Sequence, residues 1–111
     1  MKGNIDTLKI SVVLTGAVSE RQLVAFGGAA AGLNAPVIGP AAMDGITGDA
    51  VAVTALGVVD LVAGAVIAVG DELISDAAGK PIPKGATANP NLIGRALNAA
   101  ALGARVAVLF R

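Results

Sequence analysis

The sequence predicts an all-β fold, a small β-sandwich or barrel of about seven or eight short strands. Three observations carry this expectation. Apolar residues alternate with others over short runs, as in Leu8–Leu14 and Arg105–Arg111. Glycine, proline, asparagine and aspartate punctuate these runs about every 8 to 12 residues. The dipeptide Gly-Asp occurs at 48–49 and again at 70–71, each time ahead of a run of strand formers. Glycine supplies the turn backbone there, and aspartate hydrogen-bonds locally to its own main chain.

Taken in order, Met1–Thr7 is polar and irregular and reads as an N-terminal arm; 8–111 forms one β domain. In Leu8–Leu14, Leu8, Ile10, Val12 and Leu14 share one face of a half-buried strand. A turn over Thr15–Ser19 leads to a second strand, Glu20–Phe26. Gly27–Ala35 is a small-residue loop. Its glycines resemble a phosphate loop in composition alone, because no Gly-Lys-Ser/Thr ending follows. Pro36–Gly39 is a very short strand, and Asp44-Gly45 marks a turn. Asp49–Leu56 is a strand that Gly57 ends, and Val58–Val62 is the next. Gly64–Val69 reads as a single helical turn, Glu72–Ser75 as a strand, and Asp76–Lys80 as a hairpin tip. Pro81 and Pro83 confine Lys80–Pro83 to an edge, since proline cannot donate to a ladder. Asn91–Ala104 is balanced between readings: Ile93, Ala96, Leu97 and Ala100 have helical spacing, whereas Gly94 and the nearby asparagines oppose a helix. Arg105–Arg111 closes the chain as a strand.

The core is made of small residues. Of 111 residues, 24 are Ala, 15 are Gly and only Phe26 and Phe110 are aromatic. Burial stabilises by about 25 cal/mol per Å² of apolar surface, so such a core gains little per residue. A chain of this kind finds further burial in a partner or in copies of itself. The stretch Leu23–Met43 is uncharged, but its glycines and prolines argue against a membrane span. The N-terminus lacks the apolar core of a signal peptide.

The same composition removes most chemistry. There is no His, Cys, Trp or Tyr. The commonest general base and metal ligands are missing, and Ser11, Ser19 and Ser75 have no histidine to activate them. Asp71, Glu72 and Asp76 lack the spacing and closing glutamate of a calcium loop. No catalytic, cofactor or metal site is therefore expected. Formal net charge is zero, which argues against a nucleic-acid partner. Charge is segregated along the chain: every ionisable side chain from Asp44 to Asp76 is acidic, and every one from Lys80 to Arg111 is basic. These segments pair either within one domain or between subunits.

The succession Gly48-Asp49-Ala-Val-Ala-Val, Gly57-Val58, Ala65-Val-Ile67-Ala-Val-Gly70-Asp71, Asp76-Ala-Ala-Gly79-Lys80, Leu92-Ile-Gly94-Arg95-Ala-Leu97 and Arg105-Val-Ala-Val-Leu109 resembles the capsid cement, or head decoration, proteins of tailed phages. The resemblance covers the C-terminal half most closely. It implies an all-β fold and a non-enzymatic virion protein, made in the bacterial host cytoplasm. That protein sits on the capsid exterior as copies, commonly homotrimers, that bridge neighbouring major capsid proteins. It also tips Leu92–Leu97 toward strand. The expected interface residues are Lys2, Asn4 and Ile5 in the arm, with Asp49, Asp71, Arg95 and Arg105 on the domain. The alternative is a small β-barrel module that binds carbohydrate or another virion component, although such modules usually show surface aromatics.

Overall fold

The computed structural model describes residues 5–87 and 89–110, with side chains from Leu8 onward. It is all-β, with no helix among the described residues. The strands are β1 (Ile5–Val13), β2 (Leu23–Ala25), β3 (Val37–Pro40), β4 (Ala50–Val62), β5 (Glu72–Ser75), β6 (Pro81–Pro83), β7 (Gly94–Ala96) and β8 (Arg105–Phe110). Six form one antiparallel sheet in the order β1-β4-β8-β7-β5-β6, and β2 pairs with β3 in a second.

Several readings from the sequence need correction. Gly57 does not end a strand: β4 runs through it and pairs Gly57 with Asp6 on one side and Phe110 on the other. Its φ of 128° and the register irregularity around Leu8 and Leu56 mark a local distortion that glycine absorbs without breaking the ladder. Gly64–Val69 forms no helical turn, because the main chain of Ile67 is taken by Ala100 in a two-way antiparallel bridge. Asn91–Ala104, balanced on spacing and tipped toward strand over Leu92–Leu97 by the resemblance, holds a strand and a turn. Its helical spacing yields to non-local pairing of β7 with β5 and β8. The second strand is also shorter than expected, because Ser19–Gln22 closes a turn first. β1 begins at Ile5, where the strand pairs with Val58, so residues assigned to the arm belong to the ladder. β6 is an edge strand, as its two prolines require.

The hydrogen bonds show an internal duplication. Four turns recur: Ser19–Gln22, Ile46–Asp49, Ala68–Asp71 and Ala101–Ala104. In each, the fourth N–H donates to the first carbonyl at 2.9–3.2 Å. The third residue has positive φ in all four: Arg21 (68°), Gly48 (94°), Gly70 (84°) and Gly103 (83°). That residue's N–H donates to Ala41, Leu14, Ala96 and Ala63 respectively. The same four residues donate back to the carbonyl of the turn's last residue. A two-way bridge precedes each pair of turns, Val18 with Gly45 and Ile67 with Ala100.

The two sets are copies at a near-constant displacement. Leu14, Val18 and Gln22 correspond to Ala63, Ile67 and Asp71, a shift of 49 residues; Ala41, Gly45 and Asp49 correspond to Ala96, Ala100 and Ala104, a shift of 55. The longer connection in the second copy carries β6. Unit one therefore comprises β1, β2, β3 and the first part of β4. Unit two comprises the rest of β4, β5, β7 and β8.

The cores obey the same correspondence. Val12, Leu14, Val18 and Val24 of one cluster map onto Leu61, Ala63, Ile67 and Leu73 of the other; Ile38, Ala41, Val51 and Val53 map onto Ile93, Ala96, Val106 and Val108. Even the tightest backbone approach is repeated. A Cβ on Gly39 would collide with the carbonyl oxygen of Thr54, and one on Gly94 with that of Leu109. The β2–β3 ribbon lies between the cores: Val24 and Ile38 join unit one's cluster, while Leu23, Ala25 and Val37 join unit two's.

Candidate interaction surface

The acidic side chains mostly serve turns. Asp49 Oδ2 accepts from the N–H of Ile46, and Asp71 Oδ2 from that of Ala68, both at 2.9 Å. Each closes the turn that its Gly-Asp begins to announce in the sequence. Gln22 does the same for Ser19 through Oε1. Asp76 Oδ1 accepts from Ala78 and Lys80 at the β5–β6 hairpin, and Asp44 Oδ1 accepts from Glu20 N–H.

Glu72 is where acidic and basic segments meet. It lies 3.7 Å from Lys84 Nζ and 3.6 Å from Arg95 Nη2, within one chain. Register explains the second pair, since Glu72 and Arg95 are cross-strand partners on β5 and β7. Arg95 Nη1 also donates to the carbonyl of Gly70 at 3.1 Å, and Ala96 N–H to that of Asp71. Of the residues expected at an interface, Asp71 and Arg95 are thus brought together at one end of unit two. Asp49 sits at the corresponding turn of unit one. Arg105 opens β8, exposed, with its carbonyl accepting from Asn98 Nδ2 at 3.4 Å. Ile5 contributes its backbone to β1, opposite Val58; Lys2 and Asn4 lie outside the described residues.

Sequence reasoning missed the residues that lock the two units together. Arg21 holds the position that is glycine in the other three turns, and its Nη1 donates to the carbonyl of Asp60 on β4 at 2.6 Å. Gln22 Nε2 donates to Ala78, and Leu23 N–H to Gly79, so the hairpin of unit two docks on the start of β2. Asn34 Oδ1 accepts from Asn91 N–H, while Asn91 Nδ2 donates to the carbonyl of Asn34, both at 2.8 Å. No local pattern announces any of these, because each partner is about forty or more positions away.

A depression of about 310 Å³ lies at this seam, lined by Ser19–Gln22, Val62, Ala78 and Lys80. The polar groups of Arg21 and Gln22 within it are committed to main-chain partners of the other unit. Among the described residues, no group of three or more His, Cys, Asp or Glu is placed to hold a metal ion. What the surface offers instead is apolar side chains on hydrogen-bonded strands and turns. Leu8 (46% exposed) stands across the ladder from Leu56 (40%), and Ile10 is 40% exposed on the same edge strand. On unit two, Val69 and Leu102 project from two of the repeated turns.

None of the curated proteins compared matches the chain. Among solved structures, the N base of the head fiber gp8.5 of bacteriophage phi29 has a similar fold. Its TM-score is 0.74 over 94% of this chain and 93% of that one, at 24% identity. The family model described as phage cement protein matches residues 2–111. The Gly-Asp turns, the duplicated β units and a surface of committed polar groups and exposed apolar ones thus belong to a structural protein of the phage virion, and the chain is a member of the phage cement protein family.

Proposed function

We propose that this protein decorates the outside of an assembled phage head, where it bridges neighbouring major capsid proteins and stabilises the shell without catalysing a reaction. The carrying observation is the match to the cement family across residues 2–111. The surface agrees with a clamp: the carboxylates of Asp49, Asp71 and Asp76 are spent on turns, and exposed apolar side chains stand on hydrogen-bonded backbone. Copies associate as a homotrimer, and the whole assembly forms on heads after synthesis in the host cytoplasm. Many symmetric contacts, each modest, raise head stability by mass action and avidity.

Lys2 and Asn4 of the N-terminal arm, with Ile5 where β1 begins, dock on the capsid or on a neighbouring subunit. Ordering it there costs entropy that new contacts offset. Purified protein added to expanded, undecorated heads is expected to give regular density on the shell by electron microscopy and to raise the temperature of head disruption. A chain lacking residues 1–4 is expected to decorate at reduced occupancy. Bare heads after saturation with the full chain sink the decoration reading; undiminished occupancy by the shortened chain removes the arm's role.

A further inference from the structure

The chain contains one interface between copies of its own fold, and part of each complementary side of that interface is exposed at its ends. Inside the chain, the outer side of unit one's ribbon, with Leu23, Ala25 and Val37, packs into the core of unit two that contains Val59. The repeat identifies the corresponding outer side of unit two as Glu72, Ile74 and Leu92, since β5 and β7 pair in the register of β2 and β3: Glu72↔Arg95 answers Leu23↔Pro40, and Leu73↔Gly94 answers Val24↔Gly39. Ile74 is already buried, but Leu92 is 47% exposed. On the receiving side, Ile10 of unit one occupies the place of Val59. Val59 is 4% exposed; Ile10 is 40% exposed.

We infer that a second copy of this chain docks head to tail, its β5–β7 face at Leu92 and Arg95 covering the β1 face at Ile10 of its neighbour, as unit one covers unit two. The occupant is identified by the chain itself, because the cover over Val59 is another unit of this fold. The two sides differ, so the contact is heterologous, and it forms a ring if the rotation closes. β1 lies at the edge of the six-stranded sheet, with exposed Leu8 and Leu56 extending the apolar area beside Ile10. Glu72, standing where unit one has Leu23, is neutralised by Lys84 and Arg95 of its own chain, so the docking face carries no bare acid.

This inference rests on the proposed self-association, but its test does not need heads. The chain has no cysteine, so Ile10→Cys and Leu92→Cys introduce the only thiols. Two differently tagged variants, one with each substitution, are expected to cross-link with a short bifunctional thiol reagent when mixed and not when alone. Ile10→Arg and Leu92→Arg, both at exposed sites, are each expected to weaken assembly at least about tenfold by light scattering, with urea midpoints unchanged at concentrations too low for assembly. Leu102→Arg, on another surface, is expected to leave assembly intact. Cross-linking of Ile10→Cys to itself, full-size assembly by both arginine variants, or a wild-type chain monomeric at every concentration overturns the inference. Decoration of heads by an arginine variant that no longer assembles removes neither the docking face nor the decoration reading; wild-type assembly without decoration removes only the latter.

Discussion

Unit one and unit two follow the same path with different residues. Core positions keep their apolar character but trade volume, Leu14 for Ala63 and Val24 for Leu73. Glycine is kept where no side chain fits, at Gly39 and Gly94. The surfaces diverge instead. Unit one's ribbon is apolar on both sides because a core lies on each; unit two's counterpart carries the Glu72–Arg95 pair and an exposed Leu92. Turn tips change as well: Glu20 and Thr47 in unit one answer Val69 and Leu102, each about two-thirds exposed, in unit two. The comparison separates two demands. What recurs is what the backbone path requires, and what differs is what each unit meets outside itself.

The correspondence is most directly broken at the paired glycines. Gly39→Ala and Gly94→Ala each force a Cβ into a carbonyl oxygen, and each is expected to cost at least about 3 kcal/mol in urea unfolding. A tolerated substitution at one site and not the other means the units do not share that approach. A somewhat smaller effect tests the seam. Leu23, fully buried between the units, is expected to cost about 2–3 kcal/mol on truncation to alanine, whereas exposed Leu33→Ala stays within about 0.5 kcal/mol. An equal response at both positions leaves the ribbon without its role as a shared wall. The smallest effects concern the turns. Asp49→Ala and Asp71→Ala each remove a 2.9 Å acceptor and are expected to cost about 1 kcal/mol. Ala104→Asp installs the side-chain acceptor that its turn alone lacks, and is expected to raise stability in urea unfolding by less than about 1 kcal/mol. A lower midpoint shows that the fourth turn is not equivalent to the others.

Much of the fold is legible in the residues. Alternation marks β1 and β8, paired prolines place β6 at an edge, and Gly-Asp announces two turns whose carboxylates do bond to their own backbone. The duplication is not legible in the same way. Two of the four turns replace Gly-Asp, one by Arg21-Gln22 and one by Gly103-Ala104, and the displacement changes where the connection bearing β6 is inserted. The interaction surface is legible only in its composition: the sequence shows many apolar residues but not which of them a neighbouring strand covers.

The sequence by itself determined the class of this protein. Short-range alternation and turn chemistry act between residues a few positions apart, so they declare strands and turns, and the lack of His, Cys and Tyr removes whole classes of chemistry. Tertiary structure alone decided three things: that β4 runs unbroken through Gly57, that Ile67 bridges Ala100 instead of coiling, and that Val59 is covered while Ile10 is open. Each depends on a partner far along the chain. Such a hydrogen bond or packed face offsets the entropy of ordering only once the two units have met, and nothing local records in advance that they will.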